Sequence, residues 1–326
     1  MHPLRHPVLP WILPLFLALA AFPARAADSY DIAVVPMGST HVFWKAIHAG
    51  ALKAERELNA SGVRVRVIWK GPLREDDRDQ QIQVVENFVG RQISGIVLAP
   101  IDSRALVRPV EEAVGSGIPV VIINSHLRSS APASLVATDN RQGGLLGAHR
   151  LGVLLGGKGR AIMLRCQAGA DAAEEREAGF LEGMRREFPA IELISTDQYG
   201  GPSRDTARRA AENLLNRFGD KVDGIFASNE SSATGMLLAL RDAGLAGGRV
   251  KFVGFDSDAT LLAALRAGDI QGLVVQDPFG MGYTGVETLV TVLRGGRVAA
   301  VVKTPVAMVT AGNLNDPVIA ALLNPR

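Results

Sequence analysis

Short apolar runs alternate with longer segments of helical period along almost the whole chain from Asp31 onward. Most of these runs are apolar at every position, which predicts strands that are buried on both faces. Buried strands that are separated by helices imply parallel sheets with right-handed crossovers. The predicted strands begin near Ile32, Val65, Gly95, Val120, Leu135, Ala161, Ile191, Gly224, Val250 and Gly272.

The segments between these runs are predicted to be helical. Roughly ten strand–helix units are too many for one compact sheet, so we expect an α/β protein with two Rossmann-like lobes of about five strands each. No long low-complexity linker separates the halves, so the lobes should be joined by short crossings. The predicted helices cover about 42–60, 77–91, 103–116, 141–155, 172–187, 203–217, 231–243, 259–267 and 279–294.

The N-terminus has the pattern of a secretory signal peptide. Arg5 precedes an apolar stretch from Val8 to Phe22, and Ala24-Arg25-Ala26 forms a small-x-small cleavage site. We predict cleavage after Ala26 and a periplasmic mature protein, with residues 1–26 as the signal peptide. A retained anchor helix is the alternative, but the stretch is short and interrupted by prolines.

Charge and cysteine content exclude several classes of protein. Cleavage removes Arg5 and Arg25 but no acidic residue, so the 35 basic residues become 33 against 33 acidic ones. This balance favours neither nucleic acid nor anionic membranes. Cys166 is the only cysteine, which excludes an internal disulfide and a cysteine metal cluster. No histidine and carboxylate set has metal-ligand spacing, so neither a metal nor another cofactor is predicted.

The glycines of the segment 280–285 match the spacing of a dinucleotide-binding loop. The context does not fit, because Asp277-Pro278 separates the strand from the glycines and no acidic residue for a ribose follows at the required distance. Close helix packing is the better interpretation of these glycines.

Three apolar runs in the second half of the chain each stop on a short polar side chain. These side chains are Asn229, Asp256 and Gln276. The carboxyl ends of strands in an open parallel sheet are where ligands bind. The three residues are therefore expected to converge on one small molecule.

A series of motifs resembles the ribose-binding-like periplasmic sugar-binding proteins of ABC transporters, the type I periplasmic binding protein family. The likeness begins at Ile32-Ala33-Val34-Val35 and Phe43-Trp44, and it extends in the same order over nearly the whole mature chain. The further motifs are Ala99-Pro100-Ile101-Asp102-Ser103, Ile118-Pro119-Val120-Val121, Thr138-Asp139-Asn140, Glu175-Arg176-Glu177-Ala178-Gly179-Phe180, Phe226-Ala227-Ser228-Asn229-Glu230, Val253-Gly254-Phe255-Asp256 and Gln276-Asp277-Pro278.

The resemblance implies two lobes that are joined by three strand crossings, near Thr138, Gln276 and Ala307. An N-terminal lobe would consist of residues 27–138 plus 277–307, and a C-terminal lobe of residues 139–276 plus 308–326. The ligand would lie between the lobes, which close on it by hinge bending.

In the second lobe the resemblance implies ligand contacts from Arg176, Asn229, Asp256 and Gln276. The chemistry suits vicinal hydroxyls, since carboxylates accept, guanidinium groups donate and amides do both. Two alternatives stay open: a structural ion pair for Arg176, and a helix N-cap role for Asp256.

In the first lobe the resemblance implies that His41, Phe43, Trp44 and Asn124 contact the ligand. Phe43 and Trp44 match an aromatic pair that packs against sugar C–H faces, and a core role for one of them is the alternative. The remaining wall departs from the ribose pattern at Met37, His41, Ala99 and Asn124-Ser125. A less hydroxylated, reduced or modified sugar, or a polyol, fits this wall better than ribose. Arg104, His126 and Tyr199 are further candidates that the sequence does not place.

The predicted function is that of a monomeric extracytoplasmic solute-binding protein of an ABC importer, with a small carbohydrate-like ligand and a membrane permease as partners. A periplasmic sensor of the same fold, which signals to a receptor or sensor kinase, is the alternative. An enzyme is not predicted, because no nucleophile with a base is evident. A DNA-binding repressor does not fit the export signal or the balanced charge.

Overall fold

The structure, a computed structural model, describes residues 29–324 and contains two six-stranded sheets. The predicted signal peptide, residues 1–26, lies outside the described residues. The strands are β1 (Ser29–Val35), β2 (Arg64–Trp69), β3 (Gly95–Leu98), β4 (Val120–Ile123), β5 (Ser134–Thr138), β6 (Gly159–Arg165), β7 (Ile191–Tyr199), β8 (Gly224–Ala227), β9 (Lys251–Phe255), β10 (Gly272–Gln276), β11 (Val301–Thr304) and β12 (Val306–Val309).

Helices connect most of these strands and flank both sheets. They are α1 (Val42–Ala60), α2 (Arg78–Gly90), α3 (Val107–Gly115), α4 (Asn140–Leu154), α5 (Asp171–Glu187), α6 (Arg204–Phe218), α7 (Glu230–Asp242), α8 (Ala259–Ala267), α9 (Pro278–Leu293) and α10 (Pro317–Leu323). Among residues 29–324, no helix combines the length and the apolar character that a membrane crossing requires.

The two sheets repeat one strand order. The first runs β2-β1-β3-β4-β5-β11 and the second β7-β6-β8-β9-β10-β12. Neighbouring strands are parallel, except that β12 runs antiparallel to β10. This order reverses direction between β1 and β3, and between β6 and β8, which are the points where doubly wound sheets bind ligands. The predicted α/β fold with two Rossmann-like lobes is confirmed.

Burial on both faces explains why these sequences form parallel sheets. Strands β3, β4 and β8 are buried at every position, and each sheet has an apolar cluster on either face. Each fully buried Val, Ile or Leu side chain contributes roughly 1.5–3 kcal/mol. The two lobes therefore have separate hydrophobic cores.

The chain crosses between the sheets three times. After Thr138 it leaves the first sheet and enters α4, which packs on the second; after Gln276 it leaves the second sheet and enters α9, which packs on the first. The third crossing falls at Pro305 rather than near Ala307, so Val306 and Ala307 pair within the second sheet. Proline has no N–H for a strand ladder, which suits a residue that separates two strands in different sheets.

The sequence reading missed three elements, β11, β12 and α10. The two strands are short and separated by one proline, and Asp316-Pro317 is a helix start that was overlooked. The Asp316 carboxylate accepts a hydrogen bond from the N–H of Val318, at 2.9 Å. Helix α3 begins at Val107 instead of 103, because the Asp102 carboxylate holds a turn over the intervening residues.

Two pairs of helices approach closely through glycines. A Cβ at Gly282 in α9 would lie 2.0 Å from the carbonyl oxygen of Ile47 in α1, and a Cβ at Gly144 in α4 would lie 2.0 Å from that of Arg176 in α5. The first contact confirms that helix packing accounts for the glycine at 282. The second allows α5, which carries Arg176, to lie close against α4, the helix that packs on the second sheet.

Candidate functional site

A cavity of about 490 Å³, including space open to solvent, lies between the carboxyl edges of the two sheets. The cavity is lined by all eight residues that were predicted to contact a ligand: His41, Phe43, Trp44, Asn124, Arg176, Asn229, Asp256 and Gln276. The rest of the lining consists of Met37, Glu75, Cys166, Ala170, Ala172, Ala173, Glu230 and Ser231.

Asn124 and Asp256 occupy equivalent turns in the two lobes. Each directly follows its strand, β4 or β9, and each has left-handed backbone angles, with φ of 67° and 69°. The backbone N–H of each donates to the next strand of its sheet, Asn124 to Val136 at 3.0 Å and Asp256 to Val274 at 2.7 Å. Asn and Asp tolerate this conformation better than most residues. The repeated topology thus places one polar side chain from each lobe at the cavity.

Hydrogen bonds hold the Asp256 carboxylate in a fixed position. Gln276 Nε2 donates to its Oδ1 at 2.6 Å, and the backbone N–H of Glu230 donates to its Oδ2 at 3.2 Å. The alternative role of Asp256 as a helix cap is wrong, because Asp258 caps α8 by accepting from the N–H of Leu261 at 2.7 Å. The Asp256 carboxylate instead lines the cavity.

Arg176 is almost fully buried and lies against Asp256. Its Nη1 is 3.9 Å from Asp256 Oδ2, and its guanidinium lies over the Phe255 ring at 4.0 Å. Its Nε donates to Asn140 Oδ1 at 2.8 Å and its Nη1 to the Ser228 carbonyl at 3.2 Å. Burial lowers the pKa of Arg176 and raises the pKa of Asp256, and the opposite charge of the partner counters each shift. The arginine therefore has both an ion-pair role and a place in the cavity wall.

The side chains of Asn229 and Gln276 are both held by hydrogen bonds within the protein. Asn229 Oδ1 caps α7 by accepting from the N–H of Ser232 at 3.1 Å, which leaves its NH₂ group for other partners. Gln276 Oε1 accepts from Thr138 Oγ1 at 2.9 Å, and Thr138 also contacts Thr304 Oγ1 at 3.3 Å. Because these threonines end β5 and β11, Gln276 connects the crossing strands to Asp256.

The first-lobe wall is built on the start of α1. The Phe43 and Trp44 rings meet edge to face, with centroids 5.0 Å apart, and both also contact the core of the lobe. Trp44 Nε1 donates to Glu75 Oε1 at 2.8 Å. Trp44 thus combines a core position with a cavity-lining edge.

His41 joins the two lobes. Its Nδ1 caps α1 by accepting from the N–H of Phe43 at 3.2 Å, and its Nε2 forms a hydrogen bond with Glu230 of the second lobe. Glu230 also accepts from Arg204, and from Thr234 Oγ1 at 3.0 Å. Three further hydrogen bonds cross the cleft: from Gln167 Nε2 to the Glu75 carbonyl at 3.0 Å, from the Ala172 N–H to Ser125 Oγ at 3.1 Å and from the Ser103 N–H to the Gly169 carbonyl at 3.3 Å.

The charges around this contact shift both pKa values. Burial would lower the pKa of His41, but the hydrogen bond and charge of Glu230, with Glu75 and Asp256, raise it overall. Burial would raise the pKa of Glu230, but His41 and Arg204 lower it overall. The pair is therefore most strongly held when both groups are charged.

Glu75 and Glu230 are cavity residues that the sequence analysis missed. Glu230 had a detectable signal, because it follows Asn229 at the end of an apolar run. Glu75 had none, since it lies in the loop between β2 and α2, well beyond the strand end.

The candidates Arg104, His126 and Tyr199 are exposed and lie outside this lining. Tyr199 packs under the Arg165 guanidinium, 4.7 Å from its ring centroid, and His126 lines a separate surface depression with Asp171. Ala99 is buried, with its carbonyl oxygen accepting from Gln81 Nε2 at 2.8 Å.

Two lobes of repeated parallel topology, with a polar cavity between them and contacts that cross the cleft, define a protein that encloses a small molecule. The chain belongs to the periplasmic binding protein domain family, whose model matches residues 32–297. Membership confirms the resemblance to ribose-binding-like periplasmic proteins and identifies the role as solute binding.

Individual relatives align over most of their length. The D-ribose/D-allose-binding protein of Pseudomonas aeruginosa is 29% identical over 91% of this chain and 93% of its own. A carbohydrate transporter solute-binding protein from Agrobacterium radiobacter, solved in complex with D-arabinose, is 35% identical, with a TM-score of 0.85 over 91% of this chain and 99% of that one. An ABC transporter solute-binding protein from Agrobacterium vitis with bound D-fucose is 31% identical, with a TM-score of 0.85 over 90% of this chain and 100% of that one.

Proposed function

We propose that this protein is the periplasmic solute-binding component of an ABC importer, and that it closes its two lobes on a small sugar or sugar-like polyol. The observation that carries the proposal is the convergence of polar side chains from both sheets on one interlobe cavity. The two solved relatives named above are transporter solute-binding proteins with bound sugars, which favours import over signalling through a sensor kinase. We expect a cleaved signal peptide, a monomer and a membrane permease as partner.

The second lobe supplies the groups that would bind hydroxyls. Asp256 would accept from two neighbouring hydroxyls, Arg176 would donate through the rest of its guanidinium, and the amides of Asn229 and Gln276 would add donors. Hydrogen bonds to charged groups of this kind contribute about 1.5–3 kcal/mol each. The Trp44 and Phe43 side chains would cover the C–H face of the ring from the other lobe.

Closure would follow from contacts that only the closed form makes. His41 reaches Glu230 across the cleft, and the Ala172 N–H reaches Ser125 Oγ. A ligand that bridges the lobes would shift the population toward the closed form, whose surface a permease would recognise. The proposal includes no catalytic step, since the family consists of binding proteins.

The test is a thermal-shift screen of residues 27–326 against pentoses, hexoses, deoxy sugars and polyols, followed by calorimetric titration of each hit. A ligand that binds the native state should raise the melting temperature, and the increase should grow with the logarithm of its concentration above Kd. Small-angle scattering should show a smaller radius of gyration with ligand. The proposal is wrong if no carbohydrate or polyol, neutral or charged, raises the melting temperature.

A further inference from the structure

Three carboxylates line the cavity, and two of them face arginines. Asp256 lies 3.9 Å from Arg176, and Glu230 forms an ion pair with Arg204. Glu75 differs, because its hydrogen-bond partner in the described part of the chain is the neutral indole of Trp44. The positive group that acts on Glu75 is His41, whose imidazole is already bonded to Glu230. The cavity therefore carries one carboxylate in excess of its fixed cations.

The position of Glu75 is built into the first lobe. A Cβ at Gly38 would lie 2.8 Å from Glu75 Cγ, so the glycine leaves room for this side chain. The Glu75 carbonyl is held by Gln167 of the opposite lobe and its carboxylate by Trp44. Burial raises the pKa of the Glu75 carboxyl because a buried charge is costly, and the charge of His41, which also binds Glu230, offsets only part of this shift. A cation at this point would relieve that cost.

We infer that Glu75 selects a ligand with a positively charged amine, so that the solute is an aminated sugar or an aminated polyol. This inference rests on the proposed function and names the class of solute. The ammonium group would donate to the Glu75 carboxylate, which the Trp44 indole N–H holds in position. The hydroxyls would bind the second-lobe set of Arg176, Asn229 and Asp256. Charge complementarity of this kind provides specificity.

The experiment titrates the protein by calorimetry at neutral pH with matched ligand pairs. The pairs are D-glucosamine with D-glucose, D-galactosamine with D-galactose, and 1-amino-1-deoxy-D-glucitol with D-glucitol. We expect the amine to bind at least about tenfold more tightly in the pair whose stereochemistry fits, because hydrogen bonds between charged groups exceed neutral ones by about that factor. N-acetyl-D-glucosamine keeps the nitrogen but not the charge, so it should lose the advantage.

Two variants distinguish the effect of the Glu75 charge from the effect of removing any nearby negative charge. Glu75→Gln keeps an acceptor for the Trp44 indole but removes the charge, so it should abolish the preference for the amine over its neutral partner. Asp76→Asn removes the neighbouring charge, which pairs with Arg74 at the surface, and should leave the preference unchanged. Melting temperatures of the free variants confirm folding.

The inference is wrong if the neutral member of every bound pair binds as tightly as the amine, if neutral sugars or polyols alone bind, or if Glu75→Gln retains the preference. In each of these cases the proposed solute-binding function stands. Failure of neutral and aminated ligands alike would instead overturn that function together with the inference.

Discussion

The two halves of the cavity have the same topology but different chemistry. In the second lobe, Arg176 forms an ion pair with Asp256, and hydrogen bonds continue from Asp256 through Gln276 to the crossing strands. In the first lobe, Asn124 takes the equivalent turn, and its amide donates to the sulfur of Met281 at 3.9 Å. Here aromatic rings and one carboxylate form most of the wall. The comparison indicates that the second lobe supplies most of the affinity and the first lobe selects the ligand.

The largest expected difference in ligand affinity is between variants of Asp256 and Asn124, the residues at the two equivalent turns. Asp256→Asn keeps the shape and tolerates the left-handed backbone, but it removes the charge that accepts from hydroxyls. We expect affinity for the best neutral ligand to fall by about 10- to 150-fold, or about 1.5–3 kcal/mol. Asn124→Gly removes a neutral side chain without strain at φ 67° and should cost about tenfold at most. Calorimetric titration checks both, and an equal loss would contradict the division of roles.

Asp256→Asn should also destabilise the unliganded protein. Arg176 is 4% exposed, so loss of its charged partner leaves a buried cation with less compensation. Breaking a buried pair in this way costs about 3–5 kcal/mol. Urea unfolding without ligand measures the change, and Asn124→Gly provides the control, with a much smaller loss expected.

The glycine contacts of the two helix pairs provide the second comparison. Gly144→Ala would place a methyl group against the Arg176 backbone, and Gly282→Ala would place one against Ile47. Overpacking should cost each variant about 1–3 kcal/mol of unfolding free energy. Gly144→Ala should also weaken ligand binding severalfold, because it displaces Arg176, whereas Gly282→Ala should leave the affinity of the folded protein nearly unchanged. Equal losses of affinity would show that Arg176 is not positioned by this contact.

The fold could be predicted from the sequence because strands that are buried on both faces appear as short runs of apolar residues. Of the eight predicted residues that line the cavity, Asn229, Asp256 and Gln276 are polar residues at strand ends, and the other five were implied by the family resemblance. The position of Glu75 could not be predicted from the sequence. Glu75 lies in a loop, and the hydrophobic periodicity that predicts strands and helices does not predict the conformation of a loop. The partner of His41 was missed for a similar reason: Glu230 lies 189 positions away, and only the closure of the lobes brings the two together.

A smaller effect is expected at the contact between the lobes. His41→Asn keeps a good N-cap for α1 but is too short to reach Glu230. The unfolding free energy should therefore change by less than about 0.5 kcal/mol, while affinity falls severalfold because one interlobe hydrogen bond of about 1 kcal/mol is lost. Calorimetry and small-angle scattering measure the affinity and the degree of closure. Unchanged affinity and radius of gyration would show that this contact does not stabilise the closed form.

The smallest expected effect is the pH dependence of that contact. The pKa of His41 is raised above 6.5 in the closed form, so its contribution to closure is complete below 6.5 and declines as pH rises through the raised value. The pKa of Glu230 is lowered below 4.5, so its contribution is complete above 4.5 and declines as pH falls through the lowered value. Between pH 4.5 and 6.5, both His41 and Glu230 therefore contribute fully to closure.

Affinity for a ligand without ionisable groups should therefore weaken as pH rises above 6.5. The loss should stay below about threefold, because the neutral ring still donates through Nε2 while Nδ1 accepts from Phe43. Burial also raises the pKa values of Asp256 and Glu75, so these groups contribute to any change of affinity at acidic pH. The change of affinity at alkaline pH is therefore the one that tests His41. Titrations across this range should show the alkaline decline in the native protein and a flat profile in His41→Asn. An equal decline in both proteins would assign it to a group other than His41.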